Sequence, residues 1–343
     1  MKIIVAIDSF KGCLTSVEAN AAACKGVLQK CPDAEVVQVP VSDGGEGWIE
    51  AFYAAIGGTI VEANVHDPLM RPIKACYLKK DKLAVIEMAK ASGLTLLKPE
   101  ERNPMVASTF GTGELIIDAI RRGCKRFIVG LGGSATSDAG MGMLQVLLPH
   151  IDIDMLGLEF IIATDVTNPL YGPFGAAHVF GPQKGATSEM VVMLDERAKR
   201  FAKQSAELMG YDSSENPGAG AAGGIGYAFM QYLHAETRSG IDLLLDEIDF
   251  DILLEGADLV ITGEGSSDEQ TLMGKLPYGI MQRAKEQGVA TALIAGKIEY
   301  EEVLMDAGFS QVLCINPPDM PLSVAMQKDV AKRNISNTMG FLV

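Results

Sequence analysis

The stretch KIIVAIDSFKG, residues 2–12, decides how the fold begins. Its first six residues form an apolar run of strand length, typical of a strand buried on both faces of a parallel sheet. The segment SVEANAAACKGVLQK (16–30) then has the composition of a helix. Asp8, Ser9 and Lys11 stand between the two elements. The turn is therefore either an ordinary cap of the following helix, formed by Asp8 and Ser9, or the edge of a functional site.

Strand and helix patterns alternate along both ends of the chain. EVVQVPV (35–41) and a helix around residues 48–56 follow the first helix, and ADLVITGEG (257–265) and VATALIAG (289–296) repeat the pattern near the other end. Such alternation is typical of a parallel sheet covered by helices. Between residues 59 and 88, TIVEANV, IKACYLK and KLAVIEM follow one another without a helix and predict an antiparallel meander.

These patterns predict an α/β fold with two domains. We expect a Rossmann-like parallel-sheet domain formed by both chain ends, residues 1–62 and 245–343. The intervening residues 63–244 would form an inserted second α/β domain with mixed or antiparallel strands. We expect the active site in the cleft between the domains, since open α/β sheets bind ligands at the carboxyl ends of their strands.

The charge and the cysteines narrow the class of protein. The 343 residues carry a formal net charge of −15, which argues against nucleic acid and anionic membranes as partners but not against a local phosphate site. Six cysteines without a CxxC pair, and only four histidines, make a zinc site improbable and fit reduced thiols. With no signal peptide and no apolar window of membrane-spanning length, we expect a cytoplasmic protein. The sequence leaves the choice between monomer and homodimer open.

Five loops stand out, four of them glycine-rich; four of the five mix acids with hydroxyl groups, and three contain a lysine. They are DSFKG (8–12), SDGGEG (42–47), GLGGSATSDAG (130–140), FGPQKG (180–185) and TGEGSSDEQTLMGK (262–275). Glycine lets backbone N–H groups approach a ligand, lysine neutralises phosphate, and carboxylates hold Mg²⁺ or accept a hydroxyl proton. Together these loops indicate phosphoryl transfer.

Other motifs leave alternatives open. GLGGSA follows a predicted strand and matches the dinucleotide pattern, with Asp152 and Asp154 downstream, so an NAD-dependent dehydrogenase is one alternative. A non-enzymatic protein that binds small hydroxy acids is another. GAGAAG (218–223) also matches but does not follow a strand. The chain has no G-x-x-x-x-G-K-[ST] motif and no G-x-S-x-G elbow, which argues against P-loop and α/β-hydrolase enzymes.

The loops also resemble, in order, the motifs of the bacterial glycerate kinase family, and in particular glycerate 2-kinase-like enzymes. The resemblance runs from residue 2 to about residue 315 and rests on IDSFKG, SDGGEG, DPLMRP (67–72), EMAKASGL (87–94), GTGE (111–114), GGSATSDAGMGML (132–144), ATDVTNPLYGP (163–173), FGPQKGAT (180–187), GAAGGIG (220–226), SGID (239–242) and TGEGSSDEQTLMGK. The chain departs from the family in a short segment at residues 149–158, in Ser266 where relatives often carry arginine, and after Pro317.

The resemblance implies phosphorylation of D-glycerate by ATP with Mg²⁺, giving 2-phospho-D-glycerate or 3-phosphoglycerate. As catalytic residues we expect Lys11, Asp43, Asp268 and Lys275, with Asp43 or Asp268 accepting the hydroxyl proton. Arg71 could clamp the glycerate carboxylate, and the GGSATSD turn could hold the phosphates of ATP. The expected substrate- and phosphate-binding residues are Asp8, Ser9, Gly44, Gly45, Glu46, Arg71, Gly132, Gly133, Ser134, Thr136, Gln183, Lys184 and Thr271. Candidate metal ligands are Asp165 and Asp138, with Asp8 as a third.

Overall fold

The computed structural model describes residues 1–150, 157–272 and 275–343. Its strands are β1 (Lys2–Ile7), β2 (Glu35–Gln38), β3 (Thr59–His66), β4 (Pro72–Lys80), β5 (Leu83–Glu87), β6 (Arg126–Gly130), β7 (Glu159–Ala163), β8 (Glu236–Arg238), β9 (Leu259–Glu264), β10 (Ala290–Ala295) and β11 (Gln311–Cys314). Asp152 and Asp154, which belong to the dinucleotide alternative, lie outside the described residues.

Helices lie between the strands except along β3, β4 and β5. They are α1 (Ser16–Lys30), α2 (Trp48–Ile56), α3 (Ala89–Ser92), α4 (Phe110–Arg121), α5 (Met141–Leu147), α6 (Ala176–Phe180), α7 (Ser188–Met209), α8 (Ala221–Leu233), α9 (Gly240–Glu247), α10 (Phe250–Leu254), α11 (Leu276–Glu286), α12 (Glu301–Ala307), α13 (Leu322–Ala325) and α14 (Lys328–Thr338). Within the described ranges, no helix has the combination of length and apolar character that crossing a membrane requires.

The chain divides into two compact units. The first comprises Met1–Asp43, Glu50–Ile56 and Ile241–Val343, and the second comprises Gly44–Ile49 and Gly57–Gly240. Both chain ends thus belong to the first unit. The domain boundaries and the cleft expected from the sequence stay predictions.

The first unit is built on a five-stranded sheet in the order β11-β10-β9-β1-β2, and all its described pairs are parallel. Residues Ile3–Ile7 of β1 are fully buried, as the apolar run predicted. Strands β1 and β9 pair in register from Ile3–Leu259 to Ile7–Gly263. Asp8 and Glu264, the next residue along each strand, therefore lie at neighbouring strand ends. The fold class predicted from the sequence is confirmed in this unit.

The turn after β1 is anchored to helix α1 by polar contacts that do not involve Asp8. The Ser16 hydroxyl and the Asn20 amide donate to the Ile7 carbonyl oxygen at 2.6 and 2.9 Å. Thr15 is the N-cap of α1 and forms a capping box with Glu18. The interpretation of Asp8 and Ser9 as the helix cap is therefore wrong, and another role has to explain both residues.

The second unit contains a mixed six-stranded sheet in the order β3-β4-β5-β6-β7-β8. The β3–β4 and β4–β5 pairs are antiparallel, which confirms the predicted meander, and the remaining pairs are parallel. Apolar side chains such as Tyr77, Phe127 and Phe229 fill the core against this sheet. The glycine-rich GLGGSATSDAG turn starts at the carboxyl end of β6.

Candidate active site

A cluster of carboxylates lies at the carboxyl end of the first unit's sheet. Asp8 is 9% exposed, and one of its carboxylate oxygens accepts a hydrogen bond from the Ser9 amide at 2.6 Å. Burial, followed by the repulsion of Asp43 and then of Glu264, raises the pKa of Asp8 to about 8. The influence of both neighbours shows that three acids share this small region. Such repulsion is typical of a site that receives a cation or a proton.

Glu264, at the end of β9, is the carboxylate that sequence reasoning missed. Its side chain accepts hydrogen bonds from the hydroxyls of Thr271 at 2.7 Å and Ser267 at 3.0 Å. Burial raises its pKa despite these hydrogen bonds. The Thr271 hydroxyl also accepts a hydrogen bond from the Asp268 amide at 3.1 Å. Thr271 is fully buried, and it orients the Glu264 carboxylate. The sequence contained one signal for Glu264: this acid ends a predicted strand, as Asp8 follows the end of another.

Two lysines lower the pKa values of Asp8 and Glu264 through their positive charge. Lys11 is exposed and lowers the pKa of Asp8 through its charge, against the larger effect of burial. Lys275, which directly precedes α11, lowers the pKa of Glu264 in the same way and lies 3.6 Å from an Asp268 oxygen. The structure thus brings together most of the predicted residues of this unit: Asp8, Ser9, Lys11, Asp43, Asp268, Thr271 and Lys275.

In the second unit, the GGEG part of the SDGGEG loop packs backbone to backbone against the GLGGSATSDAG loop. The Gly132 amide donates to the Gly44 carbonyl oxygen at 3.1 Å, and a Cβ on Gly132 would lie 2.5 Å from the Gly45 Cα. Gly44 adopts a φ of +97°. Side chains at these positions would separate the loops, which explains the glycines. Gly133 is exposed next to Ser134, and Glu46 is exposed at the end of its loop.

The Asp138 carboxylate stabilises the turn at whose end it lies. Its carboxylate accepts from the Thr109 amide and hydroxyl, both at 2.9 Å, and from the amides of Gly140 at 3.1 Å and Gly142 at 3.0 Å. Asp138 is also only 5% exposed. Four protein donors satisfy this acid, and we therefore leave Asp138 out of the metal ligands proposed below.

Lys184 lies beneath the same turn. It is 2% exposed, and its ammonium group donates to the Ser134 hydroxyl at 2.8 Å and to the Thr136 carbonyl oxygen at 2.7 Å. Burial lowers the pKa of Lys184 to about 7, although the charge of Asp138 opposes the shift. The hydroxyls of Thr136 and Ser137 are buried and have no hydrogen-bond partner within the described chain. Buried polar groups without a partner call for an explanation, such as a bound water, an ion or a functional role.

The GAAGGIG segment packs against the opposite side of the turn. Ala222, Gly223 and Gly224 have φ values of 52°, 76° and 91°, so α8 is regular only after this left-handed stretch. A Cβ on Gly223 would overlap the Thr136 carbonyl oxygen, and the Ala139 amide donates to the Gly223 carbonyl oxygen at 3.0 Å. The helix after GLGGSA starts only at Met141, whereas a dinucleotide fingerprint opens its helix directly. This geometry disfavours the dehydrogenase alternative.

Four further predicted site residues of the second unit have other surroundings than the turn of residues 134–138. The Arg71 guanidinium donates to Asp67 at 2.5 Å, to Glu101 at 2.7 Å and to the Leu96 carbonyl oxygen at 3.3 Å, so a role as carboxylate clamp would require exchanging these partners. Asp165 is exposed after β7, and its carboxylate accepts from the Gly240 amide at 3.4 Å. Gln183 and Glu46 are exposed.

The donor set of the first unit suits a hard divalent cation. Asp8 and Glu264 offer carboxylate oxygens whose charge is unfavourable when buried alone. Across the described ranges, no three or more histidine, cysteine, aspartate or glutamate side chains are grouped to hold a metal by themselves. Mg²⁺ commonly binds through one or two carboxylates together with substrate phosphates, so the residues present fit a nucleotide-bound Mg²⁺.

The class of protein is an α/β enzyme for small charged substrates. It is defined by acids with raised pKa values, by the lysines beside them and by glycine-supported turns at strand ends. A family model described as the glycerate kinase family matches residues 3–150 and 146–341. The chain therefore belongs to the glycerate kinase family. The two matched stretches overlap at residues 146–150, beside the short segment noted in the sequence, and the match runs further than the expected residue 315.

Individual relatives agree with this family. The chain is 40% identical to a glycerate kinase of Bacillus subtilis strain 168, over 95% of this chain and 93% of that protein. It is 39% identical to a glycerate 2-kinase of Escherichia coli K12, over 99% and 98% of the two chains. A crystal structure described as glycerate kinase 2 from Salmonella typhimurium LT2 superposes with a TM-score of 0.86 at 36% identity, covering 100% of this chain and 97% of that one.

Proposed function

We propose that this protein is a glycerate kinase that transfers the γ-phosphoryl group of ATP, with Mg²⁺, to the 2-hydroxyl of D-glycerate. The observation that carries the proposal is the acid cluster of buried Asp8 with half-buried Asp43 and Glu264, with Lys11 and Lys275 beside it, in a chain of this family. Six free cysteines support a place in the reducing cytoplasm.

In the reaction, the glycerate hydroxyl oxygen forms a bond to the γ-phosphorus while the bond between this phosphorus and the β,γ-bridging oxygen breaks. ADP leaves, and the hydroxyl proton passes to a carboxylate and then to solvent. We assign the proton to Asp43, because its charge acts on Asp8 within the cluster, whereas Asp268 is paired with Lys275 at 3.6 Å. The transition state of phosphoryl transfer is loose, so positioning contributes more than the base itself.

Lys11 and Lys275 neutralise the negative charge of phosphate and carboxylate groups that enter the cluster. Asp8 and Glu264 would hold Mg²⁺ together with phosphate oxygens of ATP. When bound, Mg²⁺ neutralises charge on the transferring phosphoryl group. In the second unit, the turn from Ser134 to Asp138 carries two buried hydroxyls without a partner in the described residues, and we assign this turn to phosphate binding.

An ADP-release assay with ATP and Mg²⁺, run with and without D-glycerate, tests the proposal. We expect turnover on the order of 1–100 per second only when glycerate is present. Asp43→Asn should lower kcat by about 100-fold or more, since the proton acceptor is lost, whereas the exposed Asp33→Asn serves as the control. Glycerate binding without ADP release would instead indicate a binding protein, and quenching of nicotinamide fluorescence would indicate the dehydrogenase.

A further inference from the structure

The Lys184 side chain connects the two halves of the turn formed by residues 134–138. Its ammonium group bridges the Ser134 hydroxyl and the Thr136 carbonyl oxygen at 2.8 and 2.7 Å. The short helical turn Pro182–Lys184 delivers it, and Gly185 follows with a φ of +92°. A Cβ on Gly185 would lie 2.6 Å from the Arg102 carbonyl oxygen, so the glycine lets the backbone beneath the turn pack closely.

The surroundings of Lys184 differ from those of a lysine that meets a substrate. Lys11 is exposed and Lys275 is partly exposed, whereas Lys184 is 2% exposed. Two of the three donors of its ammonium group are already used within the protein. Charge-assisted hydrogen bonds of this kind are stronger than neutral ones, so the lysine restrains the backbone at Thr136.

The restrained turn carries two buried polar groups whose hydrogen bonds the described residues do not satisfy. The unpaired hydroxyls of Thr136 and Ser137 belong to it, and Gly223 supports the Thr136 carbonyl group from another side. If Lys184 is removed, the buried Thr136 carbonyl oxygen loses a donor and the turn is free to reorient. Preorganised donors lose much of their effect when they shift by about 1 Å.

We infer that Lys184 is a positioning residue that holds the turn of residues 134–138 in its phosphate-binding conformation through Ser134 and Thr136, and that it is not itself a phosphate ligand. The inference rests on the proposed function only in the identity of the bound group. It reassigns a lysine that the sequence placed among the phosphate ligands.

A double-mutant cycle of Lys184→Met and Ser134→Ala separates positioning from direct binding. We expect each single variant to raise the KM for ATP by about 10-fold or more while the KM for D-glycerate changes little. The double variant should be scarcely worse than Lys184→Met, because both changes release the same bridge. Lys199→Met, on the exposed side of α7, is the matched control. Additive effects of the two changes, or an unaltered KM for ATP, would overturn the inference.

Hydrogen exchange gives a second readout that needs no activity. We expect the amides of residues 135–140 to exchange at least about 10-fold faster in Lys184→Met and in Ser134→Ala, with other segments of the second unit unchanged. If Lys184→Met does not fold, Ser134→Ala alone decides the outcome, and unchanged exchange in its turn would contradict the inference. A wild-type protein without ATP turnover would refute the proposed function, while the exchange pattern would still test the role of Lys184.

Discussion

At the residue scale, Asp8 is the side chain whose chemistry depends most on its neighbours. Its pKa moves from 3.8 to about 8, chiefly through burial and then through Asp43. Between these two pH values the folded state binds more protons than the unfolded state, so the stability of the metal-free protein falls as pH rises across this window. The protein therefore keeps an acid that costs stability in the ionised form, as expected for a residue retained for function.

Replacing Asp8 by asparagine should separate these two effects. Asp8→Asn should lower kcat/KM by about 100-fold or more, because a proposed Mg²⁺ ligand is lost. In metal-free buffer at pH 8 or above the same variant should melt at a higher temperature than wild type, and the difference should shrink toward pH 4. The ADP-release assay measures the first effect, and thermal melts in metal-free buffer and with Mg²⁺ and ATP measure the second. A variant that Mg²⁺ stabilises as strongly as wild type would show that Asp8 does not hold the metal.

Lys11 has the opposite influence on the same acid. Lys11→Ala should raise the pKa of Asp8 further, because the lysine charge lowers it, and should thereby extend to higher pH the window over which the metal-free protein loses stability. It should also lower kcat/KM by about 100-fold if Lys11 contacts the substrate. Lys25→Ala, an exposed lysine on α1, is the control for both measurements. Activity within a few-fold of wild type would contradict the role of Lys11.

At the scale of elements, the left-handed segment that precedes the regular part of α8 supports the phosphate turn. Three successive residues with positive φ are costly for side chains, and Gly223 also has no room for a Cβ beside Thr136. The glycines of GAAGGIG therefore serve packing against the turn rather than direct ligand contact. The sequence marked this segment only as a dinucleotide-like pattern away from any strand.

Gly223→Ala tests this packing against a control with the same backbone conformation. Gly210 has a φ of +79°, and a Cβ added there would have no atom within 4 Å, whereas Gly223 has a φ of +76° and its Cβ would overlap Thr136. Gly210→Ala should lower the free energy of unfolding by about 1 kcal/mol. Gly223→Ala should cost at least about 2 kcal/mol more, measured by denaturant unfolding. Equal losses would mean that backbone conformation alone explains both glycines.

At the scale of the whole molecule, periodicity was a good guide to the elements. The apolar run 2–7 is β1, and the helix-free stretch 59–88 is the meander of β3, β4 and β5, because strand burial and turn spacing are local properties. Side-chain partners are not local. Strand pairing across more than 250 residues brings Glu264 beside Asp8. Arg71 forms an ion pair with Glu101, and Lys184 is buried beneath a turn about 50 residues before it. None of these contacts follows from spacing in the sequence.

Phosphorus NMR of the reaction product tests the central proposal most directly. After incubation with ATP, Mg²⁺ and D-glycerate, we predict a new phosphate-ester signal that proton coupling splits into a doublet, because the 2-position carries a single hydrogen. A triplet would place the phosphate on the primary hydroxyl and contradict the proposed acceptor. No new ester signal, with ATP either unchanged or hydrolysed to ADP and inorganic phosphate, would contradict the assignment of glycerate kinase activity to this chain.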